Sequence, residues 1–168
     1  MRKIILTGFM GAGKTTVGQL LAKLTASEHA DIDSEIMEEQ GMSVTELFET
    51  YGEQGFRDLE HQKLKEVVAK EAIISTGGGI ILKPENRRIL AEEYPVVYLK
   101  TDPAIFLERL KGDTTRPLVQ EKTPTEIRAI FEPRIKLYEE TADLIVKTDQ
   151  LTQIQVAQAI LAALESGK

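Results

Sequence analysis

The sequence contains no cysteine and no tryptophan. The first absence excludes a disulfide framework and any thiolate-held metal, and it suits a reducing compartment. Nowhere does an apolar run approach the roughly 18 residues that a membrane-spanning helix needs. Ile4-Ile5-Leu6, behind Met1-Arg2-Lys3, is far too short for the apolar core of a signal peptide. A cytoplasmic protein with no membrane partner is therefore expected. Basic residues are also in the minority: 21 lysines and arginines stand against 27 aspartates and glutamates, a formal net charge of -6. A protein that grips nucleic acid by its phosphates carries the opposite balance, so no nucleic-acid partner is expected. A small anionic substrate stays open, because a local arginine cluster can be positive inside an acidic chain. What is present is globular composition, 42% hydrophobic and 29% charged, and 168 residues bound one domain spanning 1–168.

Short β-type runs alternate with longer helical patterns. Ile4-Ile5-Leu6 reads as a strand, and Thr15 to Leu24 as a helix with Val17, Leu20, Leu21 and Leu24 on one face. A second strand ends near Asp31-Ile32-Asp33. From Ser34 to about Lys70 the pattern is helical, broken at Gly41 and again around Gly52–Gly55. Ala72-Ile73-Ile74-Ser75 is a buried strand running into Gly77-Gly78-Gly79. Pro84 opens a charged helix, Val96-Val97-Tyr98-Leu99 is the next strand, and Asp102-Pro103 starts another helix. Gly112 to Thr123 has little apolar content and reads as a loop. A further helix, the strand Leu144-Ile145-Val146 and a closing helix to about Leu164 complete the chain. Strands separated by helices imply a parallel sheet covered on both faces.

Gly8-Phe9-Met10-Gly11-Ala12-Gly13-Lys14-Thr15 fits G-x-x-x-x-G-K-[ST] and lies between a strand and a helix, as that motif requires. A random chain of this length would carry the string roughly once in two hundred. Glycines let the backbone turn its N–H groups onto phosphate oxygens, and the following helix adds the positive end of its dipole. Lys14 is placed to reach the β- and γ-phosphates and Thr15 to ligate Mg²⁺. The motif specifies nucleotide phosphates without specifying a reaction.

Other residues carry chemistry with less specificity. Asp31 and Asp33 fall at the carboxyl end of the second strand, where an open parallel sheet binds its ligand. One could order water around Mg²⁺ and the other accept a hydrogen bond from an attacking hydroxyl; taken alone, a D-x-D is more often a helix cap or solvated turn, with Asp33 capping a helix from Ser34. Arg57 is a fork-shaped donor suited to a carboxylate, with Glu53 and Glu60 spaced to hold it, or a surface residue paired to Glu60. The glycine triplet marks a second close backbone approach to a ligand, or a tight turn. Arg116 in the polar loop could close over the γ-phosphate and exclude water. His29 and His61 lack metal-ligand spacing and read as surface residues, and Phe9, Phe48 and Phe56 as core or pocket wall.

Taken together, Gly8 to Thr16, Asp31-x-Asp33, Gly52-Glu53-x-x-Phe56-Arg57-x-x-Glu60, Ser75-Thr76-Gly77-Gly78-Gly79, Arg116-Pro117-Leu118 and Arg134-x-x-x-Tyr138 resemble the shikimate kinases in order and spacing, over nearly the whole chain. The resemblance implies an α/β fold: the three-layer P-loop kinase fold of the nucleoside-monophosphate-kinase type, a five-stranded parallel sheet flanked by helices. It also implies a lid at about 112–124 and a substrate-binding helical region at about 33–60. It implies transfer of the ATP γ-phosphoryl to the 3-hydroxyl of shikimate, in aromatic amino-acid biosynthesis, by a monomer whose partners are the small molecules ATP and shikimate. Lys14, Asp33 and Arg116 would be catalytic. ATP would be held by Gly11, Ala12, Gly13, Lys14, Thr15, Thr16, Arg109 and Arg116, with Arg109 against adenine. Shikimate would be held by Asp33, Arg57, Gly77, Gly78, Gly79 and Arg134. Mg²⁺ would be held by Thr15, with Asp31 acting through water. Two departures stand out: Ser75 occupies the position of a Walker-B carboxylate, and Thr148-Asp149-Gln150-Leu151 lacks the basic residue often found near adenine.

Two other classes share part of this pattern. A kinase for gluconate or a nucleoside monophosphate shares the phosphate loop, but two arginines ask for a carboxylate acceptor. A regulatory GTP switch needs D-x-x-G, which is absent, and N-K-x-D, of which Val146-Lys147-Thr148-Asp149 retains only the last three positions.

Overall fold

The computed structural model describes residues 2–102, 104–105 and 123–166. Arg109, Arg116 and all of the expected lid except Thr123 and Pro124 lie outside the described residues. In chain order the elements are β1 (Ile4–Thr7), α1 (Lys14–Thr25), β2 (Glu28–Asp31), α2 (Ile32–Gln40), α3 (Val44–Val67), β3 (Ala72–Ser75), a 3₁₀ turn (Ile80–Leu82) and α4 (Pro84–Ala91). They continue with β4 (Val96–Lys100), α5 (Pro124–Thr141), β5 (Leu144–Lys147) and α6 (Gln153–Ser166).

The five strands are all parallel, in the order β2-β3-β1-β4-β5. From central β1 the chain runs first to the β2–β3 side and later to the β4–β5 side. The strand order therefore reverses at β1, and its carboxyl end is the crevice where such sheets bind ligands. Pleating divides the strand residues between two cores. Ile5, Ile74, Val96 and Tyr98 face one, closed by Ile36, Leu47, Leu64, Leu90 and Phe131 from α2, α3, α4 and α5. Ile4, Leu6, Ile73, Val97 and Leu99 face the other, closed by Val17 and Leu21 of α1 and Val156 and Ile160 of α6. This is the expected three-layer arrangement, and among the described residues no helix is long and apolar enough to cross a membrane.

Local differences from the sequence reading have physical causes. Leu24, expected on the buried face of α1, is 49% exposed. The buried stripe is centred on Val17, Gly18, Leu21 and Ala22, about a quarter turn away at 3.6 residues per turn. β2 stops at Asp31, so Asp33 already belongs to the first turn of α2. Gly41, at φ 66°, ends α2. Gly52, at φ 72° and ψ 175°, kinks α3, which then continues through Gly55.

Candidate active site

The loop from β1 to α1 turns on Gly8, Gly11 and Gly13, at φ 145°, 82° and 90°. Those values are strained for any side chain, which is why glycine recurs at these positions. Buried Lys14 folds over the loop and donates to the carbonyls of Gly8 and Phe9 at 2.6 and 2.9 Å. Its ammonium is thereby held at the loop that the first N–H groups of α1 also face. Thr15 and Thr16 stand exposed in the first turn of α1, and Ala12 is buried beneath.

Asp31, not Asp33, is the cap of α2: its Oδ1 accepts from Ser34 N at 2.9 Å. Its other oxygen, Oδ2, accepts from the Thr15 hydroxyl at 2.6 Å. A hydroxyl that donates its proton to a carboxylate turns its lone pairs outward, which suits it as a cation ligand. No group of three or more His, Cys, Asp or Glu that could hold a metal occurs among the described residues. A divalent cation would thus rest on Thr15, phosphate oxygens and water, the way Mg²⁺ is ordinarily held.

Ser75, in the Walker-B position, donates to the backbone carbonyl of Lys14 at 3.0 Å. Its proton committed, Ser75 Oγ accepts from His29 Nε2 at 2.8 Å, which fixes the histidine tautomer. His29 is half-buried, and burial lowers its pKa against the opposing pull of Asp31 and Glu35. The residue read as a surface histidine thus ties β2 and β3 to the first turn of α1. No local signal announces it, since the two partners are 46 positions apart. His61 likewise pairs inward, its Nδ1 lying 2.6 Å from Asn86 Oδ1.

Beside the phosphate loop, helices α2, α3 and α5 and the glycine triplet converge. Arg57 of α3 is only 8% exposed. Its Nη1 donates to Glu60 Oε1 at 2.8 Å, Nη2 lies 3.7 Å from Glu53, and the guanidinium rests against the rings of Phe48 and Phe56. Arg134 of α5 is as deeply buried and lies over the Phe9 ring at 5.6 Å. Phe9, Phe48 and Phe56 are therefore walls for arginines, favourable by cation–π attraction. The triplet fits among these groups because it has no side chains. A Cβ on Gly77 would lie 2.8 Å from Glu60 Oε2 and 2.9 Å from Asp33 Oδ1, and one on Gly79 would overlap the Arg57 guanidinium. None of the three has positive φ, so space rather than dihedral freedom selects glycine here.

Glu60 is 1% exposed. Burial pushes its carboxyl up to about 7; Arg57 pulls it down, nearby Asp33 raises it and Arg134 lowers it. Among the buried polar atoms of this pocket without a hydrogen-bond partner are Arg57 Nε, Arg134 Nη1 and Glu60 Oε2. On the other side of the phosphate loop, Asp149 accepts from Asp102 N at 2.7 Å, and the Gln153 amide lies 3.3 Å from a Cβ position on Gly13. Within Thr148-Asp149-Gln150-Leu151 the carboxylate is thus structural, and Gln153, just beyond it, reaches the loop.

This pairing of a phosphate loop with an arginine-lined acidic pocket has close counterparts. The family model described as Shikimate kinase matches residues 10–165. A shikimate kinase of Enterococcus faecalis is 42% identical over 167 residues, covering 98% of this chain and 99% of the relative. A solved shikimate kinase from Acinetobacter baumannii in complex with shikimate superposes with a TM-score of 0.96 at 39% identity, covering 100% of this chain and 95% of that one. The shikimate kinase of Aquifex aeolicus gives a TM-score of 0.86 at 37% identity over 98% of this chain and 97% of its own. With the match running across both the phosphate loop and the arginine pocket, this chain belongs to the shikimate kinase family.

Proposed function

We propose that this chain transfers the γ-phosphoryl group of ATP to the 3-hydroxyl of shikimate, giving shikimate 3-phosphate and ADP in aromatic amino-acid biosynthesis. The phosphate loop is the donor site and the pocket of Asp33, Arg57, Arg134 and Gly77 to Gly79 the acceptor site. The observation that carries the acceptor assignment is the pair of buried arginines, each with an unpartnered N–H, facing one glycine-lined space. A buried donor without an acceptor costs about 1–3 kcal/mol, and a carboxylate arriving between two guanidinium groups relieves that cost with charge-assisted bonds. Shikimate is a compact polyhydroxylated carboxylate, which matches two arginines and two carboxyl groups within one pocket.

In this reading Asp33 accepts a hydrogen bond from the attacking hydroxyl and takes its proton as the new O–P bond forms. The bond from the γ-phosphorus to the bridging oxygen breaks toward ADP. The transition state is loose in most analyses, so positioning and charge stabilisation supply most of the rate. Lys14, with the backbone of Gly11 to Gly13 and the hydroxyl of Thr16, cradles the phosphates, and Arg116 from the 112–124 lid adds charge over the γ-phosphate while Arg109 packs on adenine. Mg²⁺ would be held by Thr15, with Asp31 acting through water, and would supply charge neutralisation for the transferring phosphoryl group. Residues 33–60 form the substrate-binding region, and the chain acts as a cytoplasmic monomer.

Replacing Arg57 with Ala tests the assignment. Shikimate affinity should fall while ATP affinity is spared; an equal loss of both would make Arg57 a structural residue instead.

A further inference from the structure

We propose that Tyr138 is a positioning residue of this site: its hydroxyl fixes the Gly78 peptide between the phosphate loop and Arg134, and so sets the register between donor and acceptor sites. This rests on the reading that Arg134 takes the substrate carboxylate. Tyr138, on α5, is fully buried, and its hydroxyl donates to the Gly78 carbonyl at 2.5 Å. Gly78 is the hinge of the arrangement. A Cβ on it would lie 3.3 Å from Met10 N in the phosphate loop, 3.7 Å from Tyr138 Oη and 3.8 Å from Arg134 Nη1. The donor loop and α5, with its arginine, therefore both abut this residue.

The clamp is rigid for two reasons. The Tyr138 ring stacks on Tyr98 of β4, with centroids 5.0 Å apart and planes at 25°, so the phenol is anchored to the central sheet. Arg134 and Tyr138 are four residues apart on one helix, hence on one face. Rotation of α5 that moves the hydroxyl also moves the guanidinium. Burial raises the Tyr138 pKa well beyond the ordinary tyrosine range, although the Arg134 charge opposes it, so the hydroxyl remains a donor at any physiological pH. Glycine at 78 leaves its peptide with no side chain to hold it in place, and the tyrosine supplies that restraint from outside.

Tyr98 provides a matched control. Its hydroxyl is buried on the same stack but has no hydrogen-bond partner. Tyr138→Phe and Tyr98→Phe each delete one buried oxygen from neighbouring rings, and only the first releases Gly78. The experiment measures kcat/KM for shikimate and for its methyl ester, and Kd for ATP, in the parent and both variants. Tyr138→Phe should lower kcat/KM for shikimate by about tenfold. It should also shrink the preference for the free carboxylate over the ester and leave ATP affinity within about twofold, while Tyr98→Phe behaves as the parent. Parental kinetics in Tyr138→Phe, even with a lowered Tm, would overturn the proposal. So would an equal loss in Tyr98→Phe, which would trace the effect to the ring stack. A parent enzyme that does not discriminate shikimate from the ester would overturn the carboxylate site itself, and this role with it.

Discussion

A methyl group added at Gly79 is the smallest perturbation that reaches the acceptor pocket without touching the phosphate loop. Gly79 has φ -92° and ψ 7°, which alanine also adopts, so the backbone does not require glycine there. The added carbon would lie 2.6 Å from Arg57 Nη2, and closer still to Cζ and Nη1. That is far inside the ~3.5 Å at which heavy atoms attract. Arg57 has little room to yield: it is 8% exposed, bonded to Glu60 at 2.8 Å and backed by Phe48 and Phe56. The guanidinium must swing off its productive direction, forfeiting a charge-assisted hydrogen bond worth about 1.5–3 kcal/mol. That corresponds to a roughly 10- to 150-fold weaker Kd for shikimate. Isothermal titration with shikimate, and separately with ATP, reads the effect in Gly79→Ala, Arg57→Ala and the double variant. Because the methyl acts through Arg57, adding it to Arg57→Ala should weaken shikimate binding by less than about twofold further. A full Gly79→Ala effect in the absence of Arg57 would refute this steric route, as would a Gly79→Ala variant that binds shikimate like the parent.

Two further outcomes follow from charges in the site. Lys14→Met removes the ammonium that lies over the Gly8 and Phe9 carbonyls, and turnover should fall by about 10²–10³ through lost charge stabilisation, seen in kcat; near-normal kcat contradicts its role. Glu60 has a folded-state pKa raised to about 7 from 4.5, so its contribution to stability is fully present below about 4.5 and is lost as pH rises through 7. The protein free of shikimate should therefore lose Tm between about pH 4.5 and 7, by up to roughly 3 kcal/mol of stability for a shift of that size, and level off above it. Glu60→Gln, which keeps an acceptor for Arg57, should flatten that dependence; parallel pH–Tm curves for parent and variant would contradict it.

The phosphate loop was legible in the sequence because its requirements are local. Positive φ at Gly8, Gly11 and Gly13, and a lysine and a threonine at the start of a helix, leave a fixed string. The parallel sheet was legible from its apolar runs, since strands covered on both faces show little alternation. The acceptor pocket was legible only as a resemblance. Asp33, Arg57, the glycine triplet and Arg134 come from separate elements, and no spacing rule joins them. D-x-D was ambiguous between cap and ligand, because the end of β2 sets which aspartate caps α2, and the strand stops at Asp31. The hydrogen bonds from His29 to Ser75 and from Tyr138 to Gly78 span 46 and 60 positions. Bonds of that range leave no periodicity, so a histidine read as exposed and a tyrosine noted only for its spacing became parts of the site once the chain was folded.

The most direct measurement is ADP release from ATP with and without shikimate, with the phosphorylated product identified by ³¹P NMR. ADP should form in step with shikimate 3-phosphate and stay near background when shikimate is left out. Release at an equal rate without an acceptor, or a faster rate with gluconate or a nucleoside monophosphate than with shikimate, would contradict a donor loop coupled to a carboxylate-binding acceptor pocket.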